Sequence, residues 1–223
     1  MIYDQAYAEK YRAHDDTLSD SAPYLGFVAW LQKVCDRFTP PIDVLELGCG
    51  TGRYFRALRG VNTLTGIDAS AAMLELARTP YRAEEVTAKH IALVKGDLLT
   101  HDFAPASFDL VYAIGVLAEH VPIESTLVAR VQRWLKPNGR FAFSTVHPDS
   151  TSIPQTLQRR IGRVLVAMPG PLRSYLRRRL LAGGMYADEM FIHELLDGRF
   201  VIESMERFIS EAHLHCLCVA RRR

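Results

Sequence analysis

No stretch of this chain approaches the roughly 20 consecutive apolar residues that a membrane-spanning helix requires. The segment Met1-Ile2-Tyr3-Asp4 lacks the basic region and apolar run of a secretory signal. Only four cysteines occur (Cys35, Cys49, Cys216, Cys218), too few and too irregularly spaced for a disulfide scaffold. The 14 glycines and 11 prolines follow no period, which excludes fibrous repeats. A net charge of only +2 gives no whole-chain case for nucleic acid. The expectation is a soluble, cytoplasmic protein with reduced thiols.

What is present is an ordinary globular composition: 223 residues, 48% hydrophobic and 23% charged. That length is enough for a full core and suits one domain, 1–223, better than two. Charge is unevenly spread. Between Ser150 and Ala187 stand seven arginines (159, 160, 163, 173, 177, 178 and 179) and no acidic residue, on a body that is net acidic.

Residues 1–40 read as a helical lid. Tyr3, Tyr7 and Tyr11 recur at four-residue spacing on one helical face. A polar break follows from His14 to Ser21, then an apolar helix from about Pro23 to Phe38, stopped by Pro40-Pro41. From residue 41 the pattern alternates. Strands are expected at 42–47, 62–67, 90–94, 108–113 and 140–146, with helices at 52–58, 70–78 (Ser70 as cap) and 123–134. Lys136-Pro137-Asn138-Gly139 reads as a turn. A helix near 187–197 and two successive strands, 200–208 and 212–220, close the chain.

Strands alternating with helices imply a parallel sheet covered on both faces, and the final pair must run antiparallel. The expected architecture is therefore α/β: a Rossmann-like, seven-stranded, mostly parallel sheet ending in an antiparallel hairpin. Residues 41–146 form the core, 150–186 an arginine-rich cap, and 187–223 the last helix and strands.

The loop Glu46-Leu47-Gly48-Cys49-Gly50-Thr51-Gly52 follows the first strand, and glycines there let the backbone approach a ligand closely. A dinucleotide fingerprint needs a glycine at the sixth position, where this chain has Arg53, whose side chain obstructs the packing a pyrophosphate binder requires. Asp68 ends the second strand, 20 residues after Gly48, where a carboxylate can take both hydroxyls of a ribose. Lys95-Gly96-Asp97-Leu98 follows the third strand, where a second carboxylate could meet an adenine amino group.

Glu46 to Gly52, taken with Asp68, Asp97 and Phe108-Asp109-Leu110-Val111, resembles the class I S-adenosylmethionine-dependent methyltransferases, closely over residues 40–146 and in outline over the terminal strands. The resemblance implies S-adenosyl-L-methionine as cofactor and a small-molecule acceptor. It sets Gly48 and Gly50 against the methionine moiety, with Glu46 supporting the loop and the amino group and Arg53 reaching the carboxylate. It gives Asp68 the ribose, Met73, Asp97 and Leu98 the adenine, and the Ala113 and Ile114 backbones the methionine end. Tyr11 matches an aromatic closing over the cofactor, and Tyr7 and Tyr186 are expected at the acceptor. The segment Ile114 to Val121 carries one residue more than the family pattern, Ala118, expected to rotate Glu119-His120 by one helical position.

Methyl transfer from a sulfonium is a direct displacement, and a base is needed only where the acceptor must lose a proton. His120 and His147 follow the fourth and fifth strands and are the candidate bases, since imidazole titrates near neutrality. Helix-start and turn contacts are their structural alternatives. His213 and His215 fall on one face of the last strand and Cys216 and Cys218 on the other, so these four cannot share one tetrahedral ion, and no metal is expected. Cys49 reads as a packing residue.

In the arginine segment three readings compete for 157–181. One is a solvated cap over the pocket. The second is a grip on a carboxylate or phosphate acceptor, and the third is peripheral contact with an anionic membrane. Against the catalytic reading stands a non-catalytic nucleotide-binding module; Arg53 speaks against nicotinamide chemistry.

Overall fold

A computed structural model describes residues 4–18, 21–150, 186–210 and 213–223. Tyr3 and the arginine segment at 157–181 lie outside the described residues. Seven strands form one sheet: β1 (Ile42–Leu47), β2 (Val61–Asp68), β3 (His90–Lys95), β4 (Phe108–Ala113), β5 (Leu135–Val146), β6 (Phe200–Ser210) and β7 (His213–Arg222). Their order is β3-β2-β1-β4-β5-β7-β6. Neighbours run parallel except at β7, which pairs antiparallel with β6, as the sequence predicts, and also with β5.

Side-chain alternation along these strands divides the core in two. Val44, Leu64, Leu110, Tyr112, Ala142, Leu217 and Val219 pack on one face with α2 (Ala22–Cys35). Leu45, Ile67, Val111, Phe141, Phe143, Cys216 and Cys218 pack on the other, with α4 (Ser125–Trp134) and α5 (Glu189–Leu196). Ser70 caps α3 (Ala71–Ala77) as expected, accepting from the Met73 N–H.

Three local expectations are corrected. Residues 52–58 form hydrogen-bonded turns and a single 3-10 turn, Phe55–Ala57, instead of an α-helix; Gly52 sits at φ +76°, which cannot continue a right-handed helix. The polar break begins later than expected, because α1 runs Gln5–Leu18. Lys136 to Gly139 turn within β5 as a bulge: Phe108 pairs with Leu135 but Leu110 with Arg140. That bulge carries Lys136 Nζ to Asp43 Oδ2 at 2.9 Å and Asp109 Oδ2 at 2.7 Å, tying β1 and β4 together at the end away from the glycine loop.

Since β2 and β4 flank β1, the chain leaves β1 in one direction and returns on its other side. The crevice at such a reversal, beyond the strand carboxyl ends, is where open α/β sheets take ligands.

Candidate active site

The glycine loop leaves β1 into that crevice. Gly48 takes φ +67°, and a Cβ there would lie 2.7 Å from Val116 Cγ2, so the close approach excludes any side chain. Gly50 takes φ +52° and has the opposite surroundings, with nothing within 4 Å of its would-be Cβ. One glycine is closed by protein and the next is open, which is what a backbone cradle requires.

Asp68, at the end of β2, faces the loop. Its Oδ2 accepts from Gly50 N at 2.9 Å and its Oδ1 from Ser70 N at 2.8 Å. Each carboxylate oxygen retains a second lone pair, so the residue can hold the loop and still accept from two hydroxyls. Asp97 is exposed, its Oδ1 accepting from Leu99 N at 2.8 Å, while Leu98 beside it is buried. Met73 is buried on α3. Ala113 and Ile114 are buried at the end of β4, and the following Gly115 donates its N–H to Ser144 Oγ at 2.9 Å.

Glu46 lies beneath the loop, buried, accepting from the Tyr112 hydroxyl at 2.6 Å. Burial pushes its carboxyl up to about 8; the Tyr112 bond and Arg53 oppose the shift and the Asp68 charge adds to it. The folded protein therefore takes up a proton here at pH values where the unfolded chain, ordinary at 4.5, is ionised. The stability from this group is complete below about 4.5 and is lost as pH rises through about 8. Glu46→Gln stays neutral throughout, so urea midpoints measured from acid to alkaline pH should show wild type losing ground to the variant as pH rises. Parallel midpoint curves would overturn the assignment.

Arg53 does not point into open solvent. Its Nε donates to Asp15 Oδ1 at 2.5 Å, and Thr51 Oγ1 donates to Asp15 Oδ2 at 2.5 Å. Its Nη2 also lies against Asp15 Oδ1, but off the hydrogen-bonding line, so it is buried without a hydrogen-bond partner. The guanidinium stacks on Tyr11, 4.5 Å from the ring centre. Asp15 thus explains why α1 continues through the expected break: a buried carboxylate on its inner face is neutralised by the loop. Arg12 fastens the same helix by donating from Nη2 to Leu76 O (2.6 Å) and Thr79 O (2.5 Å), carbonyls at and just beyond the end of α3.

The segment after β4 departs from expectation. Ala118 is buried at φ +59°, and Val116 O accepts from His120 N (2.9 Å) and Val121 N (3.0 Å). The extra residue is taken up in a tight left-handed turn, not in a helix, so nothing is rotated by a helical position; α4 begins only at Ser125. His120 has half of its side chain exposed, with Nε2 3.9 Å from Glu119 Oε1. Tyr186 donates its N–H to Ala118 O at 2.8 Å, which brings it beside this turn. Tyr7 stacks on Tyr11, centroids 6.1 Å apart. Burial raises the pKa of the Tyr11 hydroxyl, the Arg53 charge lowers it, and Asp15, Tyr7 and Glu119 add to the rise.

His147 stands apart from this group. It is buried, its Nδ1 accepting from Asp149 N at 3.0 Å and its Nε2 lying 3.3 Å from Glu189 Oε2. His213 and His215 do separate from the cysteines: His215 packs edge-on to Phe27 while Cys216 and Cys218 join the opposite core. Burial and the neighbouring His213 hold His215 down to about 4. Burial pushes the Cys49 thiol well up, as suits a packing residue.

Residues 44–139 match the family described as a methyltransferase domain. That match takes in the glycine loop, most of β1, strands β2 to β4 and the start of β5. It is 36% identical over 106 residues to the ubiquinone biosynthesis O-methyltransferase of Pseudomonas syringae pv. tomato, covering 47% of this chain and 44% of that protein. The chain thus spans less than half the length of this curated relative. Among solved structures it resembles the N-methyltransferase NodS of Bradyrhizobium japonicum with S-adenosyl-L-homocysteine (TM-score 0.66, 19% identity, 98% of this chain and 97% of that one). It also resembles the magnesium protoporphyrin IX methyltransferase of Synechocystis with the same ligand (TM-score 0.60, 22% identity, 94% and 83%).

Against that domain, sequence reasoning missed Asp15, Val116 and Tyr112. Asp15 sat in a stretch read as a break, and Val116 and Tyr112 look like any core residue. Only their pairing with the loop marks them. Among the described residues, no helix is long and apolar enough to cross a membrane.

Proposed function

We propose that the protein transfers a methyl group from S-adenosylmethionine to the oxygen or nitrogen of a small-molecule acceptor by direct displacement. The observation that carries this reading is the hydrogen bond, 2.9 Å, from the N–H of the open Gly50 after β1 to Asp68 Oδ2 at the end of β2, with Glu46 buried at the end of β1. No α-helix follows the loop, so there is no helix N-terminus to attract a pyrophosphate, which favours a sulfonium cofactor over a dinucleotide.

When bound, the cofactor supplies a methyl group on a sulfonium that leaves as a neutral thioether. The chain's task is then alignment and exclusion of water. Asp68 would hold the ribose hydroxyls, Asp97 and Leu98 the adenine edge with Met73 against its face, and the backbones of Gly48, Ala113 and Ile114 the methionine end. Tyr11, packed on Arg53, would close the site from α1. An acceptor would enter between Tyr7, Tyr186 and the Ala118 turn. There His120 is the accessible base for a hydroxyl acceptor, whereas the buried His147 would act on position alone. A carboxylate or phosphate acceptor held by the arginines of 157–181 rests on residues outside the description, as does contact of that segment with a membrane.

Calorimetric titration with S-adenosylhomocysteine, with NAD as control, tests the cofactor; labelled-methyl transfer to a panel of phenols and amines tests turnover. Saturable binding of the first ligand alone, with label recovered in an acceptor, is expected. Binding without transfer to any acceptor would favour the non-catalytic module, and binding of neither ligand would overturn the reading.

A further inference from the structure

Three side chains of different chemistry converge beside the sheet, on the face opposite Glu46. His147 follows β5, Glu189 opens α5, and Cys216 lies in β7 opposite Thr145. Their Nε2, carboxylate oxygen and Sγ lie within 4.8 Å of one another. We infer that His147, Glu189 and Cys216 form a zinc-binding site that pins β5, α5 and β7 to one another.

The donors are set by backbone that is fixed independently. His147 N donates to Leu214 O at 2.7 Å, Ala187 N to Val146 O at 3.1 Å, and Thr145 Oγ1 to Ala187 O at 3.2 Å. One imidazole, one carboxylate and one thiolate suit a borderline-soft ion. Zinc bond lengths put neighbouring tetrahedral ligands roughly 3.3–3.6 Å apart. His147 Nε2 and Glu189 Oε2 already stand at 3.3 Å, and Cys216 Sγ lies within 4.8 Å of both. His147 and Cys216 are buried, and Glu189 is partly exposed, which leaves an entry path.

Loading requires Nε2 to offer a lone pair. The Nε2 proton is replaced by one on Nδ1, so the bond that Nδ1 accepts from Asp149 N is given up, and Asp149 Oδ2, now 3.8 Å away, accepts from Nδ1 instead, as in the carboxylate–histidine–zinc arrangement. Cys216 releases its thiol proton to solvent, so one proton leaves per ion bound. Thiolate and carboxylate then neutralise the dication. Without metal, Arg207 balances Glu189 through Oε1 at 2.5 Å, and that ion pair is the state the metal must compete with.

The test uses untagged full-length protein stripped with chelator and titrated with Zn²⁺ alone, then with Co²⁺. One ion per chain is expected, with a thiolate-to-cobalt charge-transfer band. Cys216→Ala should abolish that band and weaken zinc at least tenfold. Glu189→Gln should weaken zinc similarly and decides the matter if the cysteine variant does not fold. Cys218→Ala, buried two residues further along the same strand face, should change neither. No stoichiometric uptake, or cobalt binding without the charge-transfer band, would overturn the site and leave a metal-free polar network around Glu189. Because cofactor binding is not the readout, failure here leaves the methyltransferase reading untouched, and the reverse also holds.

Discussion

Asp68→Ala is expected to weaken S-adenosylhomocysteine binding by roughly 1–3 kcal/mol, about 5- to 150-fold in dissociation constant, the cost of deleting a charged hydrogen-bond acceptor. The substitution also leaves Gly50 N and Ser70 N without their acceptor, so part of the loss comes from a loosened loop. The two contributions separate experimentally. Asp68→Asn keeps one acceptor oxygen for an amide and removes the charge, so it should recover thermal stability more fully than affinity. Calorimetry on both variants, with melting curves alongside, reads the split. An unchanged dissociation constant for Asp68→Ala would sink the ribose assignment.

The largest stability effect is expected at Trp134→Ala. Trp134 is only 1% exposed at the junction of α4 and β5, where its indole N–H donates to Asp102 Oδ1 at 2.7 Å. Phe103 meets it edge-on at 5.3 Å between ring centres, and the Arg130 guanidinium lies 4.9 Å from its ring. Emptying a site of that size costs about 3–5 kcal/mol, because its walls come from a helix and a strand that cannot collapse inward. For a chain of this length that corresponds to a fall in melting temperature of roughly 6–20 °C. Trp134→Phe refills most of the volume and should recover most of the loss. A melting point within a degree or two of wild type for Trp134→Ala would show that this corner of the core is not packed as described.

Much of the candidate site was legible because its signals are local. A glycine triplet after an apolar run, an aspartate closing the next strand, and a serine before a helix each depend on residues a few positions apart. Parallel β1 and β2 then bring Gly50 and Asp68 together, since Leu47 and Ile67 share a register. The turns at 52–58 were misread as helix because apolar spacing outweighed a glycine whose positive φ forbids the continuation. The Ala118 insertion was misread for the same reason: periodicity was extended through a residue that adopts a left-handed turn.

Partners distant in the chain were not legible. Asp15 meets Arg53 across 38 positions and Tyr112 meets Glu46 across 66. His147, Glu189 and Cys216 come together only because β7 inserts antiparallel between β5 and β6. A metal set sought along one strand, His213 to Cys218, fails by alternation, while these three donors converge from two strands and a helix.

The sequence by itself determined the alternating architecture and the glycine loop and aspartate that line its crevice, because period and spacing act over single elements. Tertiary structure alone decided which charges are paired. It buried Asp15 against Arg53, lifted the Glu46 carboxyl, withdrew His147 into the core and left His120 at the surface. Those outcomes depend on desolvation and on Coulomb partners supplied by other segments, and neither is written in any local stretch of chain.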